Sequence, residues 1–357
     1  MKYLIQTSSD LENAILTLKE NRCEHLLLLV SVQSTHDFET IYLNKFNENN
    51  FNIYGGIFPG IIFNSKSYDE GVIILALDNE ITAKTFDLSL DQSELEDQIA
   101  DFDESSINKA KTVMTLISAF GADKSIFLRL LYNNYADNVK YIGAGCGSLE
   151  KQDHPSIITN NGVLKNSALV ISMEREIPLS YSHGWNAFPE VLKVTEYSGN
   201  EIVSINWKPA LDVYRDLILN KTHIQLTKAN FKEVCKSFPF GIFRLDSELI
   251  IRDTFDYTDR GGILTVDKIE QGEFIKVMCG SQESLIQSVE NMSKENFTPS
   301  LAFSCISRKV FLKDKIEAEL KMLSKENLAG AFSIGEIINN GDSYLDIFNK
   351  IVAVAKW

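Results

Sequence analysis

The stretch Thr112-Val-Met-Thr-Leu-Ile-Ser-Ala119 is apolar and rich in β-branched residues, and it predicts a buried strand. Residues 124–136 follow with apolar side chains at helical spacing, and the segment Tyr141-Ile-Gly-Ala-Gly-Cys-Gly147 comes next. We interpret this segment as a glycine turn, and we expect a further strand at residues 168–173. The predicted unit is therefore strand, helix, glycine turn and strand.

The same order of elements occurs at two other places in the chain. One copy comprises residues 26–32, 37–49, 54–60 and 72–77, and the other comprises residues 299–306, 315–323, 330–335 and 351–355. The distance from the start of the strand to the glycine is 30 positions from Leu26, 31 from Thr112 and 30 from Ser300. This spacing predicts internal duplication, although strand, helix and glycine turn is also a common arrangement without duplication.

These patterns predict an α+β protein in which mixed β-sheets are flanked by helices and built from repeated strand-helix-strand-strand units. An amphipathic helix is expected before the first unit, with Ser8 or Asp10 as its N-cap. Residues 87–104 carry eight acidic side chains and no basic one, which is typical of a solvated helix or linker. Pro209 is a natural first residue for a helix, so we place the main domain boundary there.

The composition limits which partners and compartments are reasonable. The chain has 357 residues, with 35 Lys and Arg against 49 Asp and Glu, and its formal charge of −14 argues against nucleic acid as a partner. The longest apolar run, residues 25–33, is too short to cross a bilayer as a helix, so no membrane insertion is expected. Residues 1–21 show no secretory signal, and the five cysteines are widely spaced, so we expect a cytoplasmic protein with reduced thiols.

No motif for a cofactor or a metal is evident. The glycines at 143, 145 and 147 do not fit the dinucleotide pattern G-x-G-x-x-G, and Pro155 interrupts the helix that would have to follow. The P-loop, zinc-protease and serine-hydrolase signatures are also missing, and we predict no cofactor and no metal. Gly143 and Gly145 can still let a small ligand approach backbone N–H groups, and a structural turn is an equally good explanation.

A few side chains at strand ends are candidates for chemistry. Cys305 lies in Leu301-Ala-Phe-Ser-Cys-Ile-Ser-Arg308, where it is either an inert core thiol or a thiol activated by Arg308. Arg252 directly follows a short apolar strand, and it lines a cleft or forms ordinary surface ion pairs. Glu336 follows the third glycine turn, where its carboxylate could receive an amine or accept local backbone hydrogen bonds.

Several motifs in this sequence resemble the FIST family of sensory proteins. Residues 24–208 resemble the first FIST domain through the glycine segment 143–147 and Leu179-Ser-Tyr-Ser-His-Gly-Trp185, and the motif Asn206-Trp-Lys-Pro-Ala-Leu-Asp-Val-Tyr214 follows across the end of this domain. Residues 209–357 resemble the second FIST domain through Phe303-Ser-Cys-Ile-Ser-Arg308 and Gly330-Ala-Phe-Ser-Ile-Gly-Glu336. Residues 1–23 form the helix ahead of both. Relatives often have glycine just before the arginine, where this chain has Ser307.

The resemblance implies an intracellular input protein that binds a small ligand, for which amino acids are candidates, and that signals to a separate output protein. Our site hypothesis has Arg308 and Arg252 hold a ligand carboxylate, Glu336 receive its amine, and backbone N–H groups near Gly143 and Gly145 supply further donors, with Cys305 beside them. Two alternatives stay open: a thiol-dependent enzyme that uses Cys305, and an interaction scaffold that binds its partner without a ligand.

Overall fold

The computed structural model describes residues 1–106, 109–150, 152, 154–243, 249–293, 298–323, 327–340 and 345–357. Within these residues the α-helices are α1 (Ser8–Glu20), α2 (Thr35–Asp37), α3 (Leu43–Glu48), α4 (Gln92–Ser106), α5 (Lys124–Tyr135), α6 (Ala210–Thr222), α7 (Phe231–Val234), α8 (Gln282–Ser293), α9 (Ile306–Leu312) and α10 (Ile316–Leu323). A π-helical segment, Phe38–Tyr42, joins α2 to α3. The acidic stretch predicted to be helical or a linker forms α4.

The strands of the described residues form four sheets. Sheet 1 has the order β1 (Lys2–Ile5), β6 (Val72–Ala76), β2 (His25–Ser31), β3 (Asn52–Phe58), β10 (Ile157–Thr159) and β11 (Gly162–Leu164). Sheet 2 has the order β7 (Ile81–Asp87), β12 (Ser167–Met173), β8 (Thr112–Ser118), β9 (Lys140–Cys146), β25 (Glu336–Asn339) and β26 (Ile347–Phe348). Sheet 3 has the order β13 (Leu179–Ser182), β27 (Val352–Ala355), β23 (Leu301–Cys305), β24 (Ala329–Ser333), β4 (Gly60–Phe63) and β5 (Lys66–Tyr68).

These three sheets share one strand order. In each, two parallel strands joined through a helical segment lie at the centre: β2 with β3, β8 with β9, and β23 with β24. A returning antiparallel strand lies on one side, and a strand pair from a distant part of the chain lies on the other. The predicted α+β class with mixed sheets is confirmed. Internal duplication stays a prediction, because a common strand order does not require common descent.

The fourth sheet is built largely from the second half of the chain and has nine described strands. Its order is β19 (Ile250–Arg252), β18 (Phe240–Ile242), β22 (Phe274–Cys279), β15 (Leu192–Ser198), β16 (Glu201–Ile205), β21 (Ile263–Thr265) and β20 (Thr254–Tyr257), with β14 (Asn186–Ala187) paired to β22 and β17 (Lys208–Pro209) paired to β16. Helix α6 packs on one face of this sheet, where the Tyr214 ring contacts Phe240. We call it the nine-stranded sheet.

Helices cover the outer faces of sheets 1 to 3, and the inner faces share a central core. In β2, Leu26, Leu28 and Val30 pack against α1 and α3, whereas Leu27 and Leu29 point into the central core. This alternation follows from the two-residue period of a strand and requires both faces to be apolar. Continuous apolar runs such as β2 are therefore strands buried between a helix layer and the core.

The predicted N-terminal helix is present as α1, but two details differ. Its N-cap is Thr7 rather than Ser8 or Asp10: the Thr7 hydroxyl accepts a hydrogen bond from the Asp10 N–H at 3.2 Å, and the Asp10 carboxylate accepts one from the Thr7 N–H at 2.9 Å. This reciprocal capping box satisfies two N–H groups at the helix start. In addition, β1 precedes α1, and it pairs with β6 at the edge of sheet 1.

The prediction of glycine turns at 54–60 and 141–147 was wrong for the central glycines, because Gly55 and Gly56 lie inside strand β3 and Gly143 and Gly145 lie inside strand β9. Gly143 pairs with Thr115 on one side and with Ile337 on the other. A Cβ atom added at Gly143 would overlap the Thr115 carbonyl oxygen, and one at Gly145 would overlap the Ile334 carbonyl oxygen. Glycine is needed here for close approach of neighbouring backbones rather than for a turn.

Candidate functional site

A cleft of about 490 Å³ lies between sheet 2 and the nine-stranded sheet. One wall is formed by the loop after β8, the first turns of α5 and β26 of sheet 2, and the other comprises the end of β19 and the segment between β21 and β22. The described lining residues that carry charge are Asp123, Lys124, Arg252, Asp267, Lys268, Glu270, Glu273 and Asp346. The cleft therefore holds three cationic and five anionic side chains and suits a small polar guest.

Arg252 supplies the clearest binding feature of the cleft. The residue is 4% exposed, and one terminal nitrogen of its guanidinium donates to Asp346 Oδ1 at 3.0 Å while the other donates to the Ile347 carbonyl oxygen. Its third nitrogen, Nε, has no hydrogen-bond partner within the described part of the chain. The Nε atom is itself buried, and a buried N–H without an acceptor is costly, so this group is a candidate donor.

The start of α5 forms the opposite wall. Asp123 is its N-cap and accepts a hydrogen bond from the Ser125 N–H at 3.0 Å. Lys124 Nζ donates to the Ala119 carbonyl oxygen at 2.7 Å and lies 3.2 Å from Asp267 Oδ1. Helix N-termini favour negative charge because several N–H groups and the helix dipole point outward. A ligand carboxylate between α5 and Arg252 would therefore meet donors from both walls.

Asp267 is a fixed anion in the wall of the cleft. Burial raises the pKa of its carboxyl. The charges of Lys124 and Arg252 and a hydrogen bond from Asn349 lower this pKa by more than burial raises it, so the net pKa lies below its ordinary value. The Asn349 Nδ2 group donates to Asp267 Oδ2 at 3.1 Å. Asp267 is therefore ionised at neutral pH and balances the charge of Lys124.

Lys268 and Asp123 form a half-exposed ion pair at the mouth of the cleft. Lys268 Nζ lies 2.9 Å from Asp123 Oδ2 and 3.1 Å from Glu270 Oε1. Burial raises the pKa of Asp123, whereas hydrogen bonds from Ser125 and Lys268 lower it more, so its net pKa is below the ordinary value. Exposed pairs of this kind contribute about 0 to 1 kcal/mol, so a ligand can displace them at small cost.

The other predicted site residues lie outside the described lining of this cleft. Arg308 is in the first turn of α9 rather than at a strand end, and it is fully buried. Its guanidinium forms an ion pair with Glu319 and donates to the carbonyl oxygens of His183 at 2.6 Å and Lys350 at 3.0 Å. Burial, followed by the Arg308 charge, lowers the pKa of His183 to about 4. Arg308 is thus saturated by protein groups.

Cys305 and Glu336 lie together in the interior, near Gly143 and Gly145. Glu336 pairs with Ala144 between the two glycines, and its Oε1 accepts a hydrogen bond from the Ser333 hydroxyl at 2.7 Å. Burial raises the pKa of Glu336 well above its ordinary value, and burial followed by the nearby Glu336 carboxyl raises that of the Cys305 thiol. A nucleophilic cysteine needs an accessible thiolate, so this environment argues against Cys305 as a catalytic group.

The backbone N–H groups of the two glycines are also engaged. The Gly145 N–H donates to the Gly335 carbonyl oxygen at 2.8 Å, and Gly143 lies in ladders with strands on both sides. The structure therefore brings Cys305, Glu336, Gly143 and Gly145 close together but in a buried position, while Arg252 lies in the cleft.

A buried polar chain that the sequence did not predict leads inward from the cleft. Asn349 contacts Asp267 on one side, and its Oδ1 accepts a hydrogen bond from the Asp253 N–H at 3.2 Å on the other. The Asp253 carboxylate then accepts a hydrogen bond from Ser307 in α9 at 2.6 Å and lies 3.0 Å from Lys350 Nζ. These contacts connect the cleft wall with the start of α9.

The residues that sequence reasoning missed are Lys124, Asp267, Asn349 and Asp346. The only local signal was Asp123-Lys-Ser125, an N-cap pattern directly ahead of the predicted helix. Asp267 lies far from Asp346 and Asn349 in sequence and meets them through the sheet arrangement. Among the residues that the structure describes, no group of three or more His, Cys, Asp and Glu side chains has a metal-binding arrangement. In the same residues, no helix is both long and apolar enough to span a membrane.

Comparison with known protein families identifies both halves of the chain. The FIST N domain matches residues 26–208, and the FIST C domain matches residues 210–339. No curated protein matches the chain. FIST domains are sensory domains of signal transduction. Because the two matches together cover most of the sequence, the chain belongs to the FIST family of sensory proteins.

Proposed function

We propose that this protein senses a small zwitterionic metabolite, for which amino acids are the leading candidates, in the cleft around Arg252. The ligand carboxylate accepts a hydrogen bond from the Arg252 Nε–H, and it faces Lys124 and the N-terminus of α5. The ligand amine faces the carboxylates of Glu270, Glu273 or Asp346, which belong to the anionic majority of the cleft. The single observation that carries the proposal is the buried Arg252 in a cleft wall, whose Nε has no hydrogen-bond partner among the residues that the structure describes.

This proposal changes the roles of the site residues that the sequence suggested. Arg252 keeps its role as the carboxylate-binding residue. Arg308 stabilises the packing of α9 through Glu319, and Glu336 with Cys305 belongs to the core. The signal then passes to a separate output protein when the ligand favours one arrangement of the cleft walls over another. The hydrogen bonds through Asn349 and Asp253 offer a physical connection from the cleft to α9.

A thermal-shift and calorimetric screen of amino acids and organic acids tests the proposal. A true ligand present at about 100 times its dissociation constant adds about 2.7 kcal/mol to the free energy of unfolding. The substitution Arg252→Lys retains the positive charge but removes Nε and the planar fork. We expect affinity to fall about 10- to 150-fold, because a hydrogen bond to a charged group contributes about 1.5 to 3 kcal/mol.

The matched control is Arg260→Lys, since Arg260 pairs with Glu201 outside the cleft and should not affect ligand affinity. Lys124→Gln tests the same carboxylate position from α5 if Arg252→Lys lowers the yield of folded protein. A silent screen, or equal affinity of the wild type and both cleft variants, would refute a carboxylate site between these walls. A ligand-independent scaffold predicts that partner binding ignores the ligand, which a pull-down with and without the ligand would reveal.

A further inference from the structure

The outer face of the nine-stranded sheet carries a compact group of exposed aromatic and lysine side chains. Phe274 in β22 lies opposite Lys193 in β15, and the Phe243 N–H donates to the Phe274 carbonyl oxygen from the other side. Lys276 lies over the Phe243 ring, Val191 directly precedes β15, and the Trp207 N–H donates to the Thr195 hydroxyl of β15. We call this group the aromatic–lysine face, and it consists of Val191, Lys193, Trp207, Phe243, Phe274 and Lys276.

These apolar side chains are exposed although their strand neighbours are buried. The exposed fractions are 40% for Phe243, 51% for Phe274, 52% for Val191 and 81% for Trp207. The alternate residues Leu192 and Ile275 point inward and are buried. The strand period therefore puts several large apolar groups on one side of the sheet, and contiguous exposed patches of this kind mark interaction sites.

Trp207 is presented at some conformational cost. Asn206 and Trp207 both have left-handed backbone angles, with φ of 51° and 59°. Two contacts hold this turn: the Trp207 N–H donates to the Thr195 hydroxyl at 3.0 Å, and Asn206 Oδ1 accepts the Lys193 N–H at 2.9 Å. A bulky residue in the left-handed region is strained, and its exposed ring gains little packing within this chain. Strain of this kind is a reason to look for a function.

The two lysines lie over the aromatic rings, and neither forms an ion pair with a carboxylate of the residues that the structure describes. Lys193 Nζ is 5.7 Å from the centre of the Phe274 ring, and Lys276 Nζ is 5.5 Å from that of Phe243. Among the described residues, neither has a carboxylate within salt-bridge distance, and the nearby Glu190 pairs with Lys221 at 2.5 Å. The face is thus locally basic on a chain with a formal charge of −14.

We propose that the aromatic–lysine face binds an acidic segment of a partner protein in which carboxylates alternate with apolar side chains. Trp207 and Phe274 act as apolar anchors, and Lys193 and Lys276 meet the carboxylates, in keeping with the enrichment of aromatic residues at interface centres. The opposite charges of face and partner also guide the encounter. This inference is independent of whether the cleft binds a ligand.

Other occupants fit the charges less well. In a symmetric contact between two copies of the chain, each face meets its own counterpart, and the six residues of this face offer the lysines no carboxylate. An anionic bilayer or a nucleic acid would be repelled by the overall charge of −14, and two lysines neutralise little phosphate charge. An acidic peptide needs only the local charge of the face.

Selection from a random peptide display library tests the proposal with the full chain. We expect the wild type to enrich peptides in which Asp or Glu alternates with aromatic or aliphatic residues. Binding of a selected peptide, measured by fluorescence anisotropy, should weaken at least about 10-fold in Lys193→Glu/Lys276→Glu and in Trp207→Ser. Lys66→Glu/Lys228→Glu and Leu16→Ser change exposed residues elsewhere and should bind as the wild type does.

Circular dichroism of each variant confirms that it is folded before affinities are compared. The proposal is overturned if no peptide is enriched, if the enriched peptides lack acidic residues, or if the face variants bind them as tightly as the controls do. Sedimentation that shows a Trp207-dependent dimer, or Trp207-dependent binding to vesicles of phosphatidylserine and phosphatidylcholine, would assign the face to a different occupant and also overturn it.

Discussion

Replacing Glu336 by glutamine should remove a pH-dependent loss of stability from this protein. Glu336 is fully buried, and the hydrogen bond that it accepts from the Ser333 hydroxyl at 2.7 Å is too little to hold a charge in the interior. Its pKa is therefore raised well above the ordinary value of 4.5. The folded protein keeps this carboxyl protonated at pH values where the unfolded chain has released the proton.

The sign and size of the effect follow from proton linkage. Above the ordinary pKa the folded state binds more protons at this site than the unfolded state does, so the free energy of unfolding decreases as pH rises toward the raised pKa. Between those two pKa values, one such group costs about 1.4 kcal/mol of unfolding free energy for each pH unit. A glutamine side chain at this position has the shape of the protonated acid and no charge, so this contribution disappears in the Glu336→Gln variant.

Urea denaturation of wild type and Glu336→Gln at several values between about pH 5 and pH 8 measures this directly. We expect the free energy of unfolding of the variant to increase relative to that of the wild type as pH rises. Glu201→Gln is the control, because the hydrogen bond from Arg260 lowers the pKa of Glu201, so this carboxyl is ionised in both states and its difference from the wild type should stay constant across this pH range. Parallel pH curves for wild type and Glu336→Gln would show that Glu336 is ionised in the folded protein, and it would again be a candidate partner for a ligand amine.

Three further outcomes follow from the buried groups. Gly143→Ala should lower the free energy of unfolding by about 3 kcal/mol or more in urea denaturation, because its Cβ overlaps the Thr115 carbonyl oxygen; a loss under about 1 kcal/mol would contradict this close approach. Glu319→Gln should cost about 3 to 5 kcal/mol in the same assay by leaving Arg308 buried without its partner, and an effect typical of a surface pair would disprove the assignment. Iodoacetamide labelling followed by peptide mass spectrometry should find that the Cys305 thiol reacts much more slowly than the partly exposed Cys23 thiol, since burial raises the pKa of Cys305. Equal rates would restore Cys305 as a candidate nucleophile.

The sequence predicted the helices and strands better than it predicted the contacts between them. The strand 112–119 and the helix 124–136 occur as Thr112–Ser118 and Lys124–Tyr135, because apolar periodicity is a local signal. The glycines at 143 and 145 were misread as a turn because a glycine needed for close backbone approach looks the same in a single sequence. Strand β1 was missed because its four residues are stabilised by pairing with β6 rather than by a local pattern.

The site was only partly predictable for the same reason. Arg252 was identified because a charge directly after an apolar strand is a local feature, and it does line the cleft. The position of Arg252 relative to Lys124 depends on how sheet 2 packs against the nine-stranded sheet. This packing cannot be predicted from the spacing of residues in the sequence. Arg308 looked equivalent to Arg252, but its partner Glu319 lies one helix further along the chain and binds it in the core.

The position of the cleft explains how a small ligand could have an effect on the whole molecule. Sheets 2 and 3 contain strands from both FIST segments: β25 of the second segment pairs with β9 of the first, and β4 of the first pairs with β24 of the second. The cleft lies where α5 beside sheet 2 meets the nine-stranded sheet, so a ligand held at both of its ends bridges two packed units.

A ligand shifts a conformational equilibrium only by its differential affinity for the two states, and reversing a 1:99 population takes about 5.5 kcal/mol. Micromolar binding supplies about 8 kcal/mol in total, so most of that free energy must depend on the arrangement of the walls. Contacts that require both walls at once satisfy this condition, whereas contacts to one wall do not. Glu273 lines the cleft and is followed directly by Phe274 of the aromatic–lysine face, so movement of this wall would reach the proposed partner surface through a single peptide bond.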